Sequence, residues 1–214
     1  MEVLRVKNIS KSIKNKQIIN EISFDISEGQ IVGLLGPNGA GKTTTFYSIL
    51  GLIKIDSGEV FLDDKNITMI PPHKRAEVGM SYLPQEPSIF RHLSVKSNIL
   101  GVAERNFLKK EDLINFYQNT ITEFGLESIE NSMGYVLSGG QRRKVEIARC
   151  LASKPKLILL DEPFAGIDPL AIEDIKNVLK SLSDKGICIL ITDHNLRETI
   201  DICNYSIVIK DGSI

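Results

Sequence analysis

Several common functions find little to work with in this sequence. Its charges nearly cancel: 26 Lys and Arg against 27 Asp and Glu leave a formal net charge of −1. No basic excess is available to follow a phosphate backbone or an anionic membrane surface, so no nucleic-acid partner is expected. Cysteine is scarce and odd in number. Cys150, Cys188 and Cys203 each sit among apolar neighbours, without metal-ligand spacing. That pattern suits reduced, buried thiols in a cytosolic protein better than a disulfide framework. Long hydrophobic runs are missing too. Stretches such as 157–160 and 187–191 are far too short to span a bilayer. The opening MEVLRVKNISKS has no apolar segment of the kind a signal peptide needs. The chain is therefore expected to be soluble alone, with any membrane part supplied by another chain. Fixed-period repeats, low-complexity tracts and sustained heptads are also lacking.

What remains is an ordinary globular balance, 42% apolar and 25% charged over 214 residues. That is enough for one sizeable domain, or a core with an inserted subdomain, around a real hydrophobic core. The first thirty residues read as β, with Ile22, Phe24 and Ile26 alternating against Ser23, Asp25 and Ser27. QIVGLLG (30–36) reads as a buried strand running into glycines, followed by a helix from about Lys42 to Leu50. Short strands are expected at 58–64 and 78–83. From Ser94 to about Ala152 the pattern turns helical, and Leu113, Phe116, Tyr117, Thr120, Ile121 and Phe124 mark one helix face. Alternation then resumes with a strand at 156–161, a helix from Pro169 to Asp184 and a strand at 186–192. A short helix near Asn195 and a strand at 205–212 complete the chain. Strands followed by helices predict an α/β fold with a mostly parallel sheet, interrupted by a helical insertion.

Gly36-Pro-Asn-Gly-Ala-Gly-Lys-Thr43 fits the phosphate-binding loop G-x-x-x-x-G-K-T, with a buried strand before it and a helix after. Its glycines let successive backbone N–H groups curl around phosphate oxygens at a helix N-terminus. Lys42 is expected to reach the β- and γ-phosphates, and the Thr43 hydroxyl to ligate Mg²⁺. LILLDE (157–162) supplies a natural second half, its two acids emerging where open α/β sheets bind ligands. Neighbouring strand positions point oppositely, so the two acids are expected to do different jobs. Asp161 is the candidate for holding Mg²⁺ through water, and Glu162 for polarising the attacking water as general base.

LSGGQ (137–141) opens a second glycine-rich helix start. Ser138 and Gln141 fit a capping box, but that reading leaves Gly139 and Gly140 unexplained, at a helix-propensity cost of about 1 kcal/mol each. Something must need their bare backbone. Other positions say less alone. Gln85 lies in a loop between Pro84 and Pro87; His194 follows a buried strand and could equally cap a helix with Asp193. Asp168-Pro169 is explained by an N-cap followed by proline at the first helical position.

Taken in order, the phosphate loop, Gln85, LSGGQ, Leu157–Glu162, Asp168 and His194 resemble the ABC-transporter ATPase family across nearly the whole chain, and the complete LSGGQ separates that family from other P-loop proteins. The resemblance implies one nucleotide-binding domain over 1–214. Its parts would be a RecA-like P-loop NTPase core, an antiparallel β subdomain and a helical subdomain inserted at about 86–152. It implies Mg²⁺-dependent ATP hydrolysis by a head-to-tail homodimer enclosing two ATP molecules. Nucleotide would be held by Gly36, Pro37, Asn38, Gly39, Ala40, Gly41, Lys42, Thr43 and Thr44. Ser138, Gly139, Gly140 and Gln141 would reach the γ-phosphate of ATP on the other subunit, with Asp168 in the loop that crosses to it. Gln85 would touch Mg²⁺ or the water and couple nucleotide state to a membrane subunit docking near Gln85–Arg91; His194 would bond the γ-phosphate.

Within the family, GLLGPNGAGKTTTFYSILG, PQEPSIFR, DEPFAGIDP and LITDHNLRET are similar to the ATPase subunits of lipopolysaccharide exporters. These act at the cytoplasmic face of the inner membrane. Importer ATPases for branched-chain amino acids share the overall pattern and remain the alternative, ahead of a non-transport ATPase or a purely regulatory cassette. The family's adenine-stacking aromatic is replaced here by Ile13, so adenine is expected to pack on an aliphatic side chain. Family members generally continue beyond the position of Ile214, so a truncated or unusually short member is expected.

Overall fold

A computed structural model describes residues 1–214. Two sheets organise them. The first is antiparallel: β1 (Glu2–Ile13) lies between β2 (Lys16–Ser27) and β4 (Ser57–Leu62), and β4 also pairs with the short β5 (Lys65–Asn66). The second is parallel throughout, in the order β6 (Met80–Leu83), β7 (Leu157–Asp161), β8 (Cys188–Thr192), β3 (Ile31–Leu35), β9 (Tyr205–Val208). Every residue of β3, β7 and β8 is buried, as expected of strands covered on both faces.

The period of two along these strands divides the interior. Leu157, Leu159, Leu190, Val32 and Leu34 face one cluster, shared with the antiparallel sheet and with Phe46 and Ile49 of α1 (Lys42–Leu50). Ile158, Leu160, Ile189 and Ile191 face the other, shared with the helices that follow. The helical stretch resolves into α3 (Val95–Ala103), α4 (Lys110–Glu123), two single 3₁₀ turns (Glu127–Ile129 and Gly134–Val136) and α5 (Gly139–Leu151). On α4 the expected face is the inward one, with Tyr117, Thr120, Ile121 and then Phe124 buried. Helix α5 packs on α3 and also on β6 and on α6 (Pro169–Asp184), so the helical block and the parallel sheet share one core. None of the helices is long and apolar enough to cross a membrane.

Two elements differ from expectation. A six-residue helix, α2 (Pro72–Glu77), carries no apolar period and was invisible to pattern reading; its proline sits at the first turn, where a missing N–H costs nothing. The last strand is shorter than expected. β9 stops at Val208, and Asp211 and Gly212 turn the chain through positive φ (49° and 82°). The seven-residue α7 (Leu196–Ile202) stands between β8 and β9.

Candidate functional site

The buried strand β3 delivers the chain to Gly36 at its C-terminal end. A Cβ there would lie 2.1 Å from the Ile209 carbonyl oxygen, at φ 148°, so only glycine lets the loop turn away from the sheet. The loop closes on α1, whose first residue is Lys42. Only 8% of Lys42 is exposed, and its ammonium donates to the carbonyls of Gly36 (2.7 Å) and Pro37 (3.0 Å). Burial pushes its pKa below the usual lysine range, and the nearby Glu162 carboxylate opposes that shift. Residues Asn38 to Thr44 line a cleft of about 370 Å³ together with Asp161, Glu162, Thr192, His194, Lys16 and Ile18.

The two acids diverge, as their neighbouring positions require. Asp161 is 8% exposed and turns toward Tyr47 of α1 and Tyr82 of β6, whose hydroxyls lie 3.4 Å from its Oδ2. Desolvation raises its pKa; the two distant phenols and Arg143 only partly offset this. Glu162 follows at φ 48°, its N–H donating to the Thr192 carbonyl at 2.7 Å. Its carboxylate is held from both sides. Gln85 Nε2 donates to Oε2 at 2.8 Å, and His194 Nε2 lies 2.9 Å from Oε1. Three residues from separate loops, two of them weak candidates in the sequence, thus meet at one carboxylate beside the phosphate loop.

Sequence reasoning missed the groups that hold these loops. Arg143, on the buried side of α5, donates to the carbonyls of Pro84 (3.0 Å), Glu162 (2.9 Å) and Pro163 (3.2 Å), and pairs with Glu146 at 3.2 Å. Glu146 in turn accepts from the N–H groups of Ser88 (2.6 Å) and Ile89 (3.0 Å). One buried ion pair therefore ties α5 to the loop of Gln85 and to the loop of Glu162. The available signal was an Arg and a Glu three apart on the face that also carries Val145 and Ile147. Asp193, 4% exposed, makes a similar tie, accepting from Phe164 N and Asn195 N at 3.1 and 2.8 Å.

The other predicted residues lie elsewhere. Ser138 and Gln141 form the expected capping box at the start of α5: Ser138 Oγ accepts from Gln141 N (3.2 Å), and Gln141 Oε1 accepts from Ser138 N (3.0 Å). Gly140 has a reason within this chain, because a Cβ there would sit 2.4 Å from the Ala171 Cβ on α6. Gly139 has none: the nearest atom to its Cβ position would be 3.5 Å away, an ordinary contact. Asp168 caps α6 by accepting from Ala171 N at 3.0 Å. Ser138, Gln141 and Asp168 line a separate cleft of about 490 Å³ that shares no residue with the phosphate-loop cleft. Ile13, 42% exposed at the β1–β2 hairpin, is also outside the phosphate-loop lining, where Lys16 and Ile18 stand instead.

A phosphate loop at the end of a central parallel strand, with a tethered lysine and an acid pair on the next strand but one, defines a P-loop nucleoside triphosphatase. Comparison with known proteins narrows the class. The sequence profile of the ABC transporter family matches residues 19–165. The Escherichia coli K12 lipopolysaccharide export system ATP-binding protein LptB is 47% identical over 215 residues, covering 100% of this chain and 89% of that protein. The Haemophilus influenzae protein of the same name is 46% identical with the same coverage. Among solved structures, a nucleotide-free ATP-binding cassette from an ABC transporter superposes with a TM-score of 0.89 at 30% identity, covering 100% of this chain and 90% of that one. The dimeric post-hydrolysis state of the cassette MJ0796, bound to ADP and Pi, gives 0.83 at 25% identity, covering 99% and 96%. The chain belongs to the ABC transporter family and is one of its ATP-hydrolysing cassettes.

Proposed function

We propose that this cassette powers a lipopolysaccharide exporter, closing as a head-to-tail dimer on two ATP molecules and reopening after hydrolysis. The observation that carries the catalytic reading is the Glu162 carboxylate, held between Gln85 and His194 at the rim of the phosphate-loop cleft. In this reading Glu162 polarises the attacking water. His194 and Lys42 bond the γ-phosphate, and the loop N–H groups from Asn38 to Thr44 cradle the phosphates. Catalysis then rests on positioning and charge, with no covalent step.

The donors suit Mg²⁺. Thr43 and Asp161 line the cleft and Gln85 stands at its edge, all hard oxygen ligands. No group of three or more His, Cys, Asp or Glu side chains forms a cage that would hold a metal outright. That is the donor set of an ion keeping several waters and sharing phosphate oxygens. Such an ion supplies charge neutralisation at the phosphates when bound; Asp161 would hold it through water and Thr43 directly.

The second half of the site is assigned to the partner copy. Ser138 and Gln141 line a different cleft from the phosphate loop, and the N-terminus of α5, which opens with the bare Gly139, is suited to an anion. Asp168 beside them would mark the loop that crosses between copies. A single nucleotide-binding domain over 1–214, with its helical part at about 86–152, is the matching domain reading. For nucleotide selectivity, Ile13 is proposed to meet the adenine as an aliphatic wall.

The membrane partner is proposed to dock beside Gln85–Arg91. A cleft of about 340 Å³ opens there between α2, β6 and α5, lined by Leu50, Leu52, Tyr82, Pro84 and Arg149. Phe90 is 48% exposed, under the Arg149 guanidinium at 4.3 Å, so it does not plug the core. Identity with the LptB proteins over the whole chain supports lipopolysaccharide as cargo and, within the same proposal, residence on the cytoplasmic face of the inner membrane. The test is Glu162→Gln. It is expected to bind ATP normally and turn over at least about a hundredfold more slowly; near-normal turnover removes Glu162 from the base role. Co-purification with an amino-acid importer's membrane subunits would overturn the export assignment and leave the ATPase reading intact.

A further inference from the structure

Helix α6 carries an apolar stripe, Ile172, Ile175, Leu179 and Leu182, all buried. Lys176 sits within that stripe and is itself only 3% exposed. An aliphatic side chain would fill such a position at less cost than a desolvated ammonium. The lysine is instead surrounded by carboxylates: Glu173 at 2.8 Å on its own helix, and Glu198 at 2.5 Å and Asp201 at 2.7 Å on α7. The pair on α7 lies three residues apart, on one face of that short helix.

The two helices joined in this way have one thing in common: each continues a loop of the catalytic centre. Helix α6 follows the loop that begins at Glu162, and α7 follows the link that holds His194. That link is short, a single residue between His194 and the start of α7. Asn195 caps α7 by accepting from Glu198 N, and Asn195 N donates to Asp193. A displacement of α7 relative to α6 is therefore delivered to the 2.9 Å contact between His194 and Glu162.

We infer that Lys176 is a positioning residue, a strut that sets the spacing of α6 and α7 and so holds His194 at working distance from Glu162 and the γ-phosphate. The inference rests on the role proposed for His194 above. Without the ammonium, Glu173 on α6 and Glu198 and Asp201 on α7 lose their common partner, and the two helices are no longer tied at that spacing.

The test is steady-state ATP hydrolysis by the full chain carrying Lys176→Met, His194→Ala, or both. Lys176→Met is expected to lower kcat about tenfold while the KM for ATP changes less than about twofold. The double variant is expected to be no slower than His194→Ala alone, as for two residues acting through one contact. Wild-type kcat in Lys176→Met, or a double variant slower by the full product of the two losses, would overturn the inference with the role of His194 intact. Unimpaired His194→Ala would overturn both together, so the two failures are told apart. If Lys176→Met does not fold, Glu198→Gln with Asp201→Asn removes α7's half of the network from partly exposed positions and is read by the same comparison with His194→Ala.

Discussion

Single residues here trade stability for chemistry. Asp161 is buried with only distant phenols as neutral partners, and its raised pKa marks a charge that costs stability while ionised. That cost is present above its folded pKa and fades as pH falls toward the ordinary carboxylate value. Asp161→Asn is therefore expected to raise the melting temperature of the nucleotide-free chain, by about 2–4 °C for each kcal/mol relieved, while ATP hydrolysis is lost. An unchanged or lower melting temperature in calorimetry would contradict this. Arg143 is the opposite case. It is buried with Glu146 and spans three carbonyls, so Arg143→Ala is expected to cost about 3–5 kcal/mol in urea unfolding, through the stranded Glu146 charge. Cys150 lines the groove beside Tyr82, and burial pushes its pKa up to about 12. Alkylation at pH 8 is expected to be slow in the native chain and to proceed on unfolding, which mass spectrometry reads directly.

At the scale of elements, the two glycines that open α5 separate packing from function. Gly140→Ala overlaps Ala171 at 2.4 Å, so it is expected to push α5 off α6 and destabilise the chain by about 1–3 kcal/mol. Gly139→Ala meets nothing closer than 3.5 Å and improves helix propensity, so stability is expected to hold or rise while ATP turnover falls. Equal effects of the two substitutions on melting temperature would contradict the distinction. From sequence alone both glycines were assigned to phosphate approach; only the helix crossing at Ala171 reveals the structural demand on one of them. Elements with strong apolar periods were legible, and the bounds of α1 and α6 match those read from the sequence. The polar α2 has no period to read. The phosphate loop and acid pair were legible because their residues are contiguous. Arg143, Glu146 and Lys176 were not, since their meaning depends on partners that only the fold brings near.

Across the whole molecule, the residues of the proposed site fall into two separate clefts of one chain. The phosphate loop, Asp161 and Glu162 line one; Ser138, Gln141 and Asp168 line the other. In the proposed arrangement a second copy turned head to tail would complete both, which would make the dimer part of the chemistry. Mixing two inactive chains tests this most directly. A Lys42→Ala chain lacks a working phosphate loop, and a Ser138→Arg chain lacks a working signature. In their mixed dimer, one site joins the intact loop of one chain to the intact signature of the other. ATP hydrolysis is expected to be negligible in each variant alone and to recover to about a quarter of wild type on equimolar mixing with random exchange. A mixture as inactive as its components, after exchange has been verified by labelled subunits, would contradict a site shared between chains.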